Sequence, residues 1–360
     1  MKTRVVRVDP QRPDPAVLAE VGAAIRRGEL VAFPTETVYG LGADALDDRA
    51  VRRIFEAKGR PPDNPLIVHV ASPEQAMALA YPDPRGRWEE LARRFWPGPL
   101  TLILPCRPVV SPAATAGLDT VAIRMPAHPV ALGLIRAAGR PIAAPSANRS
   151  GRPSPSTAQH VVEDLYGRVE WILDGGPTGV GVESTVLDLT DDPPAVLRPG
   201  GVGPERLEAV LGPVRLHAGE APEGQAPRSP GMKYRHYAPE TPLLVLEGSP
   251  RAVAWAVRRR LESLGPEAGP LGLFVTDETL AWLHRWGALP HPRVRVVPAG
   301  PRHDLEGIAR RLFGALRELD QGPRGLILAE AVEERGLGVA VNNRLRRAAA
   351  GRVERCAEPP

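Results

Sequence analysis

Lysine is almost absent from this chain. Only Lys2, Lys58 and Lys233 occur; the other 43 of its 46 Lys and Arg residues are arginine. Against that background an internal lysine marks a place where a compact, movable ammonium serves and a planar guanidinium fork does not. Cysteine is scarce as well. Cys106 and Cys356 lie far apart and match no metal or redox spacing, which excludes a disulfide framework and points to a reducing cytoplasm. No run approaches the roughly 18 apolar residues of a membrane span, and Met1–Val6 lacks the apolar core of a signal peptide, so no membrane association is expected. No G-x-x-x-x-G-K-[ST] stretch occurs, so any bound nucleotide is not held by a P-loop. The eight histidines show no ligand spacing, and a tightly held metal is not expected.

Proline and glycine, by contrast, are plentiful, at 42 and 36 residues, with no repeat period. They read as stiffened loops. The net charge of +4 on 360 residues does not demand nucleic acid, because an enzyme for anionic substrates carries the same balance. The length exceeds what one hydrophobic core normally serves and predicts two domains.

The pattern along the chain agrees. A helix over 14–27 is capped by Asp14 and closed by Gly28; Leu30–Phe33 reads as a strand, and Asp47 opens a helix ending at Ala57. Strands and helices alternate up to Tyr166, and strands then crowd together between Trp171 and Leu197. This predicts α/β architecture with a mixed twisted sheet and helices packed on it, over 1–212. Between Gly212 and Pro242 the pattern dissolves into Pro, Gly, Glu and Ala, longer than a normal loop, so 213–242 reads as a linker or a functional segment. From 243 to 360 regular β-α alternation predicts a small Rossmann-like parallel sheet. Near its end Gly338–Leu345 reads as a loop, with Asn342 or Asn343 capping a helix over 344–350.

Three stretches are too rich in unusual residues to be ordinary turns: Pro34–Ala45, Lys58–Pro65 and Ala144–Ser154. Each follows a regular element, where ligands of open α/β sheets sit. Their joint content of one lysine, several arginines, hydroxyls and glycines suits a polyphosphate or carboxylate site. Gly40-Leu41-Gly42-Ala43-Asp44-Ala45 matches the dinucleotide fingerprint G-x-G-x-x-[GA]. That motif requires glycines that directly follow a strand and open a helix; here Thr35–Tyr39 intervene and the next helix waits for Asp47. A nicotinamide enzyme is not expected. His69, near the lysine loop, has two readings, a residue lining the site and a core or edge histidine, and the second is favoured.

Together these residues carry a resemblance. Thr35-Glu36-Thr37-Val38-Tyr39-Gly40-Leu41, Lys58-Gly59-Arg60-Pro61, Trp96–Thr101, Val121–Pro126, Ala144-Pro145-Ser146-Ala147-Asn148 and Glu183–Val186 are similar to the YrdC domain family. The K-x-R and S-x-N signatures are the specific ones. Ser229–Met232, His236–Pro239 and the trailing α/β domain resemble the long, two-domain form of that family. The resemblance implies an enzyme that joins L-threonine, bicarbonate and ATP into L-threonylcarbamoyladenylate and pyrophosphate, for N6-threonylcarbamoyladenosine synthesis on tRNA.

Several negative charges converge in such a reaction, so its site must be cationic and preorganised. By motif position the resemblance implies Lys58 and Arg60 as catalytic cations, with Thr35, Arg124 and Ser184 on L-threonine. It implies Lys58, Thr120, Ser146, Asn148, Ser154, Arg198 and Tyr237 on ATP. Mg²⁺ is expected with ATP, held by phosphates and water, since no pair of aspartates announces a protein cage. The product would pass to the tRNA threonylcarbamoyl-transfer machinery, with direct tRNA contact left open. Lys233–Tyr237 crowds cations and aromatics into five residues, and the resemblance implies a lid over the cleft. A rival reading is a tRNA- or double-stranded-RNA-binding module without chemistry, suggested by the arginine content. No RRM, KH or dsRBD signature supports it, and 42 acidic residues are interleaved with the basic ones.

Overall fold

The computed structural model describes residues 1–217, 227–229, 236–265 and 267–360. Lys233 and the rest of 218–226 and 230–235 lie outside the described residues, and with them most of the expected lid. The chain folds as two compact units: Met1–Ser150 with Ser154–Tyr234, and Gly151–Pro153 with Arg235–Pro360. Among the described residues no helix is long and apolar enough to cross a membrane.

The first unit contains strands β1 (Arg4–Arg7), β2 (Val31–Phe33), β3 (Gly40–Asp44), β4 (Ile67–His69), β5 (Leu100–Pro105) and β6 (Thr120–Arg124). They are followed by β7 (Ile142–Ala143), β8 (Trp171–Asp174), β9 (Thr185–Asp188), β10 (Ala195–Arg198) and β11 (Arg215–Leu216). Its helices are α1 (Pro15–Arg26), α2 (Asp48–Lys58), α3 (Pro73–Met77), α4 (Arg87–Phe95), α5 (Pro112–Thr115), α6 (Pro129–Ala138), α7 (Ala158–Leu165) and α8 (Pro204–Leu211). The sheet runs β1-β8-β2-β3-β7-β4-β6-β5-β9-β10-β11 and mixes parallel with antiparallel pairs, as the sequence pattern predicts.

Strand alternation sorts the core into two faces. Ala32, Leu41, Val68, Ile123 and Leu187 point to one face and pack against α2, α4 and α7. On the other face Val31, Phe33 and Ile142 pack under α1 and α6. Further along that second face lies a buried cluster drawn entirely from strands: Ile67, Ile103, Ala122, Val186, Ala195 and Leu197. Its neighbours at i±2 include His69, Thr101, Thr120 and Arg124 on the same strands and Ser184 just before β9. The apolar cluster is thus the floor of a polar site on the part of the sheet beyond α1 and α6.

The glycine stretch that mimics a dinucleotide fingerprint is strand β3, paired with β2 and β7. Gly42 is needed for close packing: a Cβ there would lie 2.6 Å from Ile142 and 2.7 Å from Phe33. The helix that follows starts only after Asp47, whose carboxylate accepts from Arg49 N at 2.9 Å, so no helix N-terminus faces these glycines.

The second unit contains β12 (Leu243–Glu247), β13 (Leu271–Phe274), β14 (Val294–Val296), β15 (Leu326–Glu330) and β16 (Val353–Arg355). The sheet order is β14-β13-β15-β12-β16, every pair parallel. Crossovers are made by α9 (Pro250–Glu262), α10 (Asp277–Arg285), α11 (Leu305–Leu319) and α12 (Leu337–Ala348). One expectation is corrected here. Gly338–Leu345 is not a loop, and neither Asn342 nor Asn343 is an N-cap, because α12 begins after Gly336. Asn342 is buried inside the helix, where its amide accepts from Val332 N at 2.9 Å and donates to Val332 O at 2.8 Å. That bidentate clasp satisfies both polar atoms in the core.

Candidate active site

Three polar clusters gather the expected residues, the first and third of them on the strand-built face. The first forms where β2 and β6 end. The Thr35 hydroxyl donates to Val38 O at 2.7 Å, accepts from Thr37 N at 3.1 Å and lies 2.8 Å from the Thr37 hydroxyl, a local turn that fixes the loop. Arg124, at the end of β6, spreads its guanidinium over three partners: Gly98 O at 3.2 Å, Thr37 Oγ1 at 2.9 Å and the Glu36 carboxylate at 2.6 Å. Thr35 and Arg124 are therefore brought together through Thr37. His69 is in register with Arg124 on the neighbouring strand and is buried. Its pKa is pushed down to about 3, first by burial and then by the Arg124 charge, so the ring is neutral.

The second cluster joins the two signatures. Gly59 ends α2 in the left-handed conformation, φ 62°, and Lys58 is the last helical residue, where the macrodipole favours a cation. Lys58 is 3% exposed, and its ammonium donates to the Ser146 carbonyl and, at 2.6 Å, to Asn148 O. In return Ser150 N donates to Lys58 O at 2.9 Å. K-x-R and S-x-N are thus one interlocked structure. Arg60 shapes the same loop from within, donating to Asn64 O at 3.2 Å and Pro65 O at 3.1 Å. It also lines a cavity of about 460 Å³ with Phe55, Pro62 and Pro112.

The third cluster is built on β9 and β10. Arg198 donates to Ser184 O at 3.0 Å and to its hydroxyl at 3.2 Å, and that hydroxyl lies 2.8 Å from Thr101 Oγ1. The Ser154 hydroxyl donates to the Glu183 carboxylate next door. Gly200 permits the crowding, since a Cβ there would stand 2.3 Å from the backbone of Glu183, Ser184 and Thr185. Gly200→Ala is expected to cost about 1–3 kcal/mol through overpacking and to disturb Ser184 and Arg198 together. A denaturant midpoint alongside the threonine KM checks this; an unchanged midpoint rejects it.

Two expected residues stand apart. Thr120 begins β6, half-buried opposite Pro105, on the same face as Arg124 but about 13 Å along the strand at ~3.3 Å per residue. Tyr237 belongs to the second unit, where its ring stacks on Phe313 at 5.4 Å and lies 5.2 Å from the Arg344 guanidinium. Reading single residues missed Glu36, Thr37, Thr101 and Glu183 as partners. Glu36 and Thr37 lie inside the first of the three unusual stretches, and Thr101 and Glu183 inside motifs that carry the resemblance, but their contacts reach up to 88 residues along the chain.

Chemically the arrangement offers buried cations, hydroxyls and no nucleophile. The Cys106 and Cys356 thiols are pushed up to about 11, chiefly by burial, so neither supplies a thiolate. Among the described residues no group of three His, Cys, Asp or Glu side chains could hold a metal ion.

Comparison with known proteins gives the family. The Sua5, YciO and YrdC family model, described as telomere recombination, matches residues 23–200, and the model for the threonylcarbamoyl-AMP synthase C-terminal domain matches 202–350. The chain is 50% identical over 343 residues to the threonylcarbamoyl-AMP synthase of Bacillus subtilis, covering 95% of each protein. It is 53% identical over 337 residues to that of Pyrococcus abyssi, covering 91% of this chain and 93% of the relative. The crystal structure of P. abyssi Sua5 complexed with L-threonine superposes with a TM-score of 0.91 at 48% identity, over 99% of this chain and all of that one. With both of its parts matched in order, the chain belongs to the Sua5/YciO/YrdC family, in the two-domain form that carries the threonylcarbamoyl-AMP synthase C-terminal domain.

Proposed function

We propose that this site builds a threonylcarbamoyl adenylate and divides the work among its three clusters. The chain is an enzyme, a nucleotidyltransferase-type synthase that condenses L-threonine, bicarbonate and ATP to threonylcarbamoyl-AMP and pyrophosphate for the N6-threonylcarbamoyladenosine modification of tRNA. The threonine nitrogen takes the carbon of bicarbonate with loss of water, giving a carbamate. A carbamate oxygen then attacks the α-phosphorus while the bond to pyrophosphate breaks. Arg124 receives the threonine carboxylate on its fork, with Thr35 and Ser184 at the remaining polar groups. Lys58, Arg60 and Arg198 face the phosphates, and Thr120, Ser146, Asn148 and Ser154 the rest of the nucleotide. Mg²⁺ bound to ATP would be held by phosphates and water and not by side chains of this site, and would supply charge neutralisation there. The adenylate passes to the tRNA threonylcarbamoyl-transfer machinery.

The observation that carries this division is the lock of Lys58 onto the carbonyls of Ser146 and Asn148, which puts the lysine and the S-x-N loop in one place. The test is incubation with ATP and labelled bicarbonate, with and without threonine. Label should enter an adenylate only when threonine is present; incorporation that ignores threonine refutes the substrate assignment. The rival RNA-binding module without chemistry predicts no adenylate at all.

A further inference from the structure

The loop Ser146–Ser154 carries three of the residues assigned to the nucleotide, and its two ends are fixed within the first unit. Lys58 holds the carbonyls of Ser146 and Asn148, and Ser154 bonds Glu183. The three residues between, Gly151–Pro153, are packed into the second unit. There the Gly151 carbonyl accepts from Ala238 N at 2.8 Å, and the Pro153 carbonyl accepts from Arg317 Nη2 at 2.6 Å.

Neither donor is placed there by default. Arg317 projects from the buried side of α11, next to Ala315, Leu316 and Leu319, and is only 4% exposed. Burying a guanidinium is costly without strong hydrogen bonds, so a stretch that needed only packing would carry leucine or methionine here. The Ala238 amide is aimed by Tyr237, whose φ of +62° is a strained conformation for a residue with a side chain. The surroundings enforce it, since the buried Tyr237 ring is stacked on Phe313 with Arg344 also against it.

We propose that Arg317 is a positioning residue for ATP binding, with the Tyr237 stack as its accessory. It acts by holding the backbone of Gly151–Pro153 and so setting the span between Asn148 and Ser154. The inference rests on the assignment of that loop to the nucleotide. It gives the C-terminal domain a part in ATP affinity without a ligand site of its own, and it gives Tyr237 an indirect share in nucleotide binding.

The test uses the full-length enzyme with Arg317→Met, which keeps the length and removes the donors, and Arg317→Lys, which keeps one charged donor. Arg317→Met should raise the KM for ATP about tenfold, the loss of one hydrogen bond to a charged group, with kcat and the threonine KM nearly unchanged. Hydrogen–deuterium exchange over 146–156 should rise in the same variant, and Arg317→Lys should recover part of both effects. If Arg317→Met does not fold, Phe313→Leu loosens Tyr237 and the Ala238–Gly151 bond instead and should give the same pair of changes. Unchanged exchange in the loop overturns the proposal. So does raised exchange with a native KM for ATP, provided Asn148→Ala raises that KM. If Asn148→Ala also leaves the KM for ATP unchanged, the nucleotide assignment of the loop fails, and the proposal falls with it.

Discussion

Replacing Lys58 by arginine is expected to lower kcat/KM about 100-fold, the scale of losing one preorganised charge contact in a dry site, although the formal charge is kept. The ammonium is almost fully buried and bonds two carbonyls of the S-x-N loop at once, with Asn148 O at 2.6 Å. A guanidinium is wider and planar, and its donors are fixed in a fork. It fits only by pushing Ser146 and Asn148 outward, at a stability cost of about 1–3 kcal/mol from overpacking. Lys58→Met separates the two effects, because it keeps the volume and loses the charge. Threonine-dependent pyrophosphate release and a melting curve on both variants check this, and a fully active Lys58→Arg enzyme would reduce the lysine scarcity to a matter of composition.

That scarcity singled out a lysine whose setting gives the choice of cation a physical reason. Lys58 is buried with its charge, and burial makes the shape of the cation matter. Other parts were legible on similar grounds. The helix read over 14–27 is α1 with Asp14 as its N-cap, and β-α alternation after Pro242 is the parallel sheet. What stayed hidden has a common cause too. Strands β1, β11 and β16 lie at sheet edges and are mostly exposed, so they carry no buried apolar pattern to read. Strand β3 is written in glycine because Phe33 and Ile142 leave no room for side chains, and in a single sequence it imitates a turn. The start of α12 was missed because Asn342, a usual cap, is used inside the helix to clasp Val332. In the site, composition singled out the three loops. The Arg124–Thr37 and Ser184–Thr101 pairs depend on sheet order, which local patterns do not specify.

Arg124 is the position where a conservative change should hurt threonine selectively. Its guanidinium donates to Gly98 O and Thr37 Oγ1 and pairs its charge with Glu36, and the side chain is 4% exposed. A lysine head cannot span those three directions, so Arg124→Lys leaves at least one buried partner unsatisfied, at about 1–3 kcal/mol. If the same fork takes the threonine carboxylate, the lost bidentate contact should raise the threonine KM between about 10- and 100-fold while the KM for ATP stays near its native value. Glu36 supplies the internal control. It braces Arg124 from the side, so Glu36→Gln should raise the threonine KM less than Arg124→Lys does. The double variant should then fall short of the sum of the two single effects, as coupled neighbours do. Threonine titrations at saturating ATP measure all three variants. A native threonine KM in Arg124→Lys would move the carboxylate site elsewhere and leave Arg124 as a brace for the loop between β2 and β3.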